Sequence, residues 1–380
     1  MIYLYLGVFA AAWAAAYLVI RTLYKERLEK LKSLKLYPLA FVLKSEKLVK
    51  ILDRVAASSP LFWRTISNIG LAVGFGLMGF AVFFLTKNIW VYLFAPKQVG
   101  VQNIVIPLII GVTIRFEHLP YMLLALAAVL ITHEGMHGLV ARLEKIKLKS
   151  TGVFLAFIFP GGFVEPDEEE FKKAPPRAKA RVAAAGSFAN VVVGVLVILL
   201  MMGVFMPVES GVIVLEAEEG SSFKAGETIF SVNGVAVNRY TLMENITAED
   251  TLTVRTSLQN HTFKLREPIN MPIAWVLRSL GVVRIDYYYP MRVGLGDPAA
   301  EYSVYRTFWW TQLIALGVAI FNMLPIQILD GYLLLTSLLE AKIRSEKKLK
   351  LLGYTVSAAA IALLLSNIAF TYKTFGFFQL

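Results

Sequence analysis

VLITHEGMHGLV, residues 129–140, decides how this chain is read: two histidines and a glutamate interrupt a run otherwise apolar enough to lie inside a bilayer. On an α-helix, positions i and i+4 share one face a turn apart, so His133 and His137 can converge on a single ion. Glu134 projects roughly 100° around the helix from His133, at about 3.6 residues per turn, and can work beside that ion without binding it. This is the spacing in which two imidazoles hold zinc and the carboxylate serves as general base. Five-residue patterns recur by accident in soluble helices. A charged side chain deep in a membrane costs at least about 2.5–3.5 kcal/mol, however, and is seldom kept without a role.

The flanking sequence supplies the membrane. The 380 residues are 57% hydrophobic and 17% charged, against about 45–50% and 25% for soluble chains, which excludes a soluble enzyme and a disordered chain alike. With no Cys, there is neither a disulfide framework nor a thiolate metal site. Six stretches approach the roughly 20 apolar residues that a spanning helix needs: Ile2–Ile20, Ile66–Thr86, Tyr121–Val140, Val182–Met206, Thr307–Leu329 and Leu351–Phe370. Two shorter apolar pieces, Ile104–Ile114 and Gly152–Val164, contain Gly or Pro and read as re-entrant or interfacial segments.

The formal charge of +11 is distributed in a way that reports orientation. Lys and Arg crowd the loop after the first span (Arg21 to Arg54), the loop after the third (Arg142 to Arg181) and the loop before the last (Lys342 to Lys350). Positive loops stay in the cytosol, so the N-terminus is expected outside and these three loops inside. The surplus is topology, and no motif presents it to nucleic acid. The polar stretch from Val208 to Arg306 is then expected outside the cytosol; its apolar runs, broken by Gly and Asn233-Gly234, have the grammar of strands and turns. The domain boundaries follow: 1–118 with the first two spans, 119–207, a β-rich domain over 208–300, and 301–380.

A catalytic zinc takes three protein ligands and keeps one position open. His118 and His261 fall outside the spans, so the third ligand is expected to be a carboxylate, and Asp330 is the acidic residue in the apolar run NMLPIQILDGYLL, residues 322–334. Pro325 breaks the helix there and Gly331 permits a turn or close packing. Asp330 as a plain helix-end residue is the competing reading. Asn322, eight residues earlier, can donate to a developing oxyanion or simply bond a neighbouring helix.

Together these residues resemble the site-2 protease family of intramembrane zinc metalloproteases, peptidase family M50. HEGMH in a span and Asn322-Met-Leu-Pro325 leading into Leu329-Asp330-Gly331 carry the resemblance. It implies one Zn²⁺ per chain held by His133, His137 and Asp330, Glu134 activating water, and Asn322 steadying the substrate carbonyl. Phe159-Pro-Gly161-Gly162-Phe163-Val-Glu165-Pro166-Asp167 resembles the family's membrane-associated β-segment beside the active site, and Ala185-Gly186-Ser-Phe-Ala-Asn190 its Gly-x-x-x-Asn span motif. Gly161, Gly162, Phe163 and Asn190 are accordingly expected near substrate, while Glu165 and Asp167 also read as solvated acids at a helix start. Glu219–Gly234 resembles a shortened PDZ module.

The expected architecture is a polytopic α-helical membrane protein with about six transmembrane helices, a membrane-associated β-segment and a small β-rich PDZ-like extracytoplasmic domain. Its place would be the cell membrane of an archaeon or bacterium, with the active site near the cytosolic leaflet. The implied partners are the lipid bilayer, membrane-anchored protein substrates that undergo regulated intramembrane proteolysis, and peptides docking on the PDZ-like domain. A metal-ion or proton transporter using the same His, Glu and Asp residues is the alternative class, because intramembrane ionisable groups also mark transport paths.

Overall fold

The computed structural model describes residues 2–23, 33–37, 39–156 and 158–379, so Lys25, Arg27, Lys30 and Lys32 of the first basic loop lie outside it. The chain divides into two compact units, Met1–Val195 with Thr311–Leu380, and Leu196–Trp310.

The first unit begins with α1 (Ile2–Leu23), the strands β1 (Leu34–Tyr37) and β2 (Ala40–Lys44), a short helix α2 (Glu46–Ser58) and the long helix α3 (Pro60–Phe94). Pro60 opens α3 at a position where its missing N–H breaks no helical bond. Helix α4 (Leu119–Leu143) carries HEGMH and is followed by β3 (Leu148–Ala156), β4 (Phe159–Pro166), α5 (Glu168–Lys173) and α6 (Pro176–Val204). The buried small residues Ala183, Ala184, Ala185 and Gly186 let α6 approach its neighbours closely; a Cβ on Gly74 of α3 would stand 2.8 Å from that of Ala184. Without a hydrophobic driving force between helices in lipid, such small-residue seams are what packing relies on.

The four strands form one antiparallel sheet in the order β1-β2-β3-β4. The segment Gly152–Val164 is therefore a β-hairpin, and only part of it offers an edge: β3 is paired on both sides, which leaves the outer rim of β4. Residues 33–58, expected as a plain basic loop, instead complete this sheet and add α2. Gly152 has to be glycine, because a Cβ there would overlap the Leu43 carbonyl of β2. Asp167 caps α5 by accepting from the Glu169 and Glu170 N–H groups, and Glu165 accepts from Ser150 at 2.6 Å. The other short apolar piece, Ile104–Ile114, forms a turn in which Thr113 Oγ1 bonds both Pro107 O and Ile109 N.

The second unit is β-rich. Strands β5 (Val212–Ala217), β6 (Thr228–Val232), β7 (Val235–Ala236), β8 (Asn245–Ala248), β9 (Thr251–Thr256), β10 (Asn260–Lys264) and β11 (Ile269–Pro272) lead to helix α7 (Ile273–Ser279) and strand β12 (Val282–Tyr287). The main sheet runs β10-β9-β6-β5-β12, with β7 beside β6, and β8 pairs with β11. Asn233 and Gly234 join β6 to β7 with φ of +50° and +81°, the two positive values that a two-residue hairpin of this hand demands. Its core gathers Val212, Val214, Ile229, Val232, Leu252, Val254, Ile273 and Leu277.

The chain ends with α8 (Pro298–Asn322), α9 (Asp330–Glu340) and α10 (Glu346–Phe375). Among the described residues, four helices are long and apolar enough to cross a bilayer: Pro60–Phe94, Phe116–Leu143, Pro176–Val204 and Glu346–Phe375. These are the second, third, fourth and sixth expected spans. The first expected span is helical as α1. The fifth is not one helix over Thr307–Leu329, because α8 stops at Asn322 and α9 starts at Asp330. Pro325 offers no N–H and crowds the backbone before it, so the chain closes α8 with the tight bonds Met323 N to Ile320 O and Leu324 N to Phe321 O.

Candidate metal centre

Three atoms from two helices of the first unit converge. His133 Nε2 lies 3.1 Å from His137 Nε2, and Asp330 Oδ2 lies 3.2 Å from the first and 3.3 Å from the second. The histidines come from consecutive turns of α4 and the aspartate from the first residue of α9, brought there by the break after Asn322. Among the described residues this is the one group of three or more His, Asp or Glu side chains that could hold a metal. Asp330 Oδ2 is buried and makes no hydrogen bond, an orphan that needs a reason.

The donor set and its geometry fit zinc. Ligand atoms about 2.0–2.2 Å from a tetrahedral ion sit about 3.3–3.6 Å from one another, close to the separations seen here. Both imidazoles also have their second nitrogen engaged. His137 Nδ1 is 2.6 Å from the Val182 carbonyl, which only accepts; Nδ1 therefore carries the proton and Nε2 presents its lone pair to the centre. His133 Nδ1 faces the Asn190 amide at 3.0 Å. Asn190 is completely buried, and its carbonyl oxygen has no partner. Amide O and N are exchanged by a half-turn of the side chain; turned that way, the oxygen accepts from His133 Nδ1–H and the orphan disappears. Such outer partners fix the tautomer and orientation of metal-binding histidines.

Gly186 of α6 makes room for all of this. A Cβ at that position would overlap His137 Nε2 and come within 2.6 Å of His133 Nε2. Glu134, off the ligand face, has Oε2 3.2 Å from the Val164 N–H of β4, and Gly162 packs against Ile131 and Glu134. Because Val164 N points away from β3, the alternation of an antiparallel strand directs the backbone of Gly162 to the same open rim. Asn322, at the end of α8, places Nδ2 3.4 Å from His133 Nε2.

The structure thus brings His133, Glu134, His137, Asn322, Asp330 and Asn190 together and runs Gly161, Gly162 and Phe163 along the strand beside them. Asn190 meets His133, not the rim of β4. His118 and His261 take no part: the first neighbours Glu117 and the second bonds Glu227 in the β-rich unit. Sequence reasoning missed the Val182 carbonyl, since every residue has one and none signals its use. Gly186 was legible only as half of a motif.

The sequence profile of peptidase family M50 matches residues 121–365. An uncharacterised protein of Methanocaldococcus jannaschii is 27% identical over 213 residues, 55% of this chain and 54% of that protein. A membrane-bound transcription factor site-2 protease homolog of Arabidopsis thaliana is 32% identical over 79 residues, 21% of this chain and 15% of that protein. The chain therefore spans about half the length of the first relative and a small part of the second.

Proposed function

The chain belongs to peptidase family M50, a family of intramembrane metalloproteases, and from that premise we propose that it is a zinc metalloendopeptidase of the site-2 type. Its substrates would be membrane-anchored proteins, cut at peptide bonds in or near their transmembrane segments. The convergence of His133 Nε2, His137 Nε2 and Asp330 Oδ2 within 3.3 Å of one another carries this reading.

In this mechanism His133, His137 and Asp330 would hold the ion, while the Val182 carbonyl and Asn190 amide hold the imidazoles. Zinc, when bound, supplies Lewis acidity towards a carbonyl oxygen and lowers the pKa of water. Glu134 takes the proton of the attacking water and delivers it to the leaving nitrogen; its bond to Val164 N keeps the carboxylate beside the strand where substrate would lie. An unwound substrate segment adds to the rim of β4 at Gly162, between Gly161 and Phe163, using main-chain bonds that require no particular sequence. Asn322 Nδ2 donates to the scissile carbonyl as charge develops there. Asn190 acts through His133 as a positioning residue.

The unit Leu196–Trp310 reads as a PDZ-like module that docks substrates, a reading supported by the Glu219–Gly234 pattern and its antiparallel sheet. The three basic loops support a cytosolic placement for them, and regulated intramembrane proteolysis in a prokaryotic cell membrane is the role proposed. Metal or proton transport is the second class. A transport path needs successive polar sites, and the candidate ligands of the described residues form one cluster.

The test is purified full-length protein with Glu134→Gln. Zinc content stays near that of the parent, while cleavage of a membrane-embedded substrate falls by about 10²–10⁴, the usual contribution of a general base. Unchanged cleavage would remove Glu134 from the mechanism. Metal flux through reconstituted vesicles that survives the substitution would favour transport.

A further inference from the structure

Helix α2 is divided lengthwise into three sectors of different chemistry. At about 100° per residue, Val49, Leu52 and Ala56 share one side and face the protein: Ala56 is buried, and Leu52 Cδ1 would meet a Cβ on Gly138 of α4 at 2.8 Å. On this side Asp53 is held by Arg142 in the last turn of α4. The next sector holds Leu48 and Ile51, which are 37% and 49% exposed although apolar. The third sector is basic, with Lys47, Lys50 and Arg54 within about 60° of arc, all exposed.

The neighbours fix the depth at which this helix sits. Ser59 alone separates α2 from Pro60, where the bilayer-crossing α3 begins. Arg142, to which α2 is tied, marks where α4 leaves its apolar stretch. At the other end Ser45 N bonds the Thr151 carbonyl of β3, and Leu43 on β2 is likewise 43% exposed. A helix held at the end of two membrane spans, with one apolar and one cationic sector left over, has the composition of an in-plane interfacial helix.

We infer that α2 lies in the membrane interface, with Leu48 and Ile51 among acyl chains and with Lys47, Lys50 and Arg54 forming a surface for the headgroups of anionic phospholipids. The occupant is lipid because the apolar and cationic sectors adjoin, as they do at an acyl-headgroup boundary and not on a surface wholly in water. Since α2 also grips Gly138 and Arg142, one residue and five residues beyond His137, the surface is joined to the helix that carries the candidate metal ligands. The inference does not depend on the metal or on catalysis.

A chain without Cys lends itself to single-cysteine labelling. Full-length protein carrying Ile51→Cys or Lys50→Cys is labelled with a fluorophore and reconstituted in vesicles of phosphatidylcholine and phosphatidylglycerol. Brominated acyl chains quench the label at 51 and aqueous iodide the label at 50. Brominated phosphatidylglycerol quenches position 51 about two- to five-fold more than brominated phosphatidylcholine, because basic residues at the surface enrich anionic lipids around them. The combined variant Lys47→Glu, Lys50→Glu, Arg54→Glu brings that ratio to one. Iodide quenching both positions equally overturns the interfacial placement; a label at 51 shielded from both quenchers means that protein covers the face, and also overturns it. Equal quenching by the two brominated lipids in the parent overturns the headgroup assignment.

Discussion

Gly186 tests the metal centre at the level of one carbon atom. Its would-be Cβ coincides with the space between the two imidazoles, so Gly186→Ala has to push either α6 or the histidines aside. The expected result is a folded protein with at least about ten-fold weaker zinc binding, the scale of effect seen when a ligand's orientation is lost, measured by competition with a chromogenic chelator. Parent-like affinity would show that the ion sits elsewhere. Asn190 makes a complementary case, because its predicted action depends on an acceptor and not on bulk. Asn190→Leu leaves His133 Nδ1–H facing an apolar group and weakens zinc binding about 10–100-fold, whereas Asn190→Asp keeps an oxygen there and restores most of the affinity. Equal loss in both variants would assign Asn190 to packing alone. His133, His137 and Glu134 were readable from spacing because a helix converts spacing into direction. Gly186 and Asn190 act across helices, and their function emerges only when α6 is laid against α4.

At the scale of elements, the interruption between α8 and α9 places Asp330. Pro325 announced the break, but the sequence alone made Asn322 and Asp330 two positions along one run, whereas the structure folds the chain back so that each ends or begins a helix. Gly331 is required there: a Cβ would overlap the Met323 carbonyl and lie 2.5 Å from that of Leu324. Gly331→Ala should cost about 1–3 kcal/mol, as overpacking does, and lower zinc content together with the melting temperature; a change in neither would mean that the turn relaxes freely. The strands β1 and β2 escaped notice for a different reason. They are only four and five residues long, and the strand that β2 pairs with, β3, is over 100 residues away.

The β-rich unit hides a further group of this kind. Glu227, at the start of its sheet, is buried beside His261 and Thr256. Burial pushes its carboxyl pKa up, but hydrogen bonds from Thr256 and His261 outweigh that and hold it below the usual carboxylate range. Since the folded pKa lies under the unfolded one, the stabilisation is complete above about pH 4.3, the ordinary glutamate value, and fades as pH falls through the lower folded value. Thermal unfolding of the full-length protein should therefore show an acid-dependent loss that begins as pH falls below about 4.3 and that Glu227→Gln reduces. An identical profile in the variant would place the acid lability elsewhere.

At the scale of the whole molecule, charge and helix length decide how many times the chain crosses. If only the four most apolar helices span, then α3, α4 and α6 put residues 144–175 on one side of the bilayer and the start of α10 on the other. Both segments are basic, with Lys145, Lys147, Lys149, Lys172 and Lys173 in the first and Lys347, Lys348 and Lys350 in the second. The positive-inside rule places them together, so we propose one more crossing between them, made by α8. Its 25 residues extend about 38 Å at 1.5 Å per residue, more than the roughly 30 Å of a hydrocarbon core. Ser303, Arg306, Thr307, Thr311 and Gln312 lower its apolarity without shortening it. Its last residue, Asn322, also reaches His133 inside α4, which puts the end of α8 at the depth of the candidate metal ligands. Single cysteines at Lys172 and Lys347 should therefore react with a membrane-impermeant maleimide only after cells are permeabilised. Labelling of position 347 in intact cells, with 172 protected, would show that α8 does not cross and that the basic segments face opposite sides.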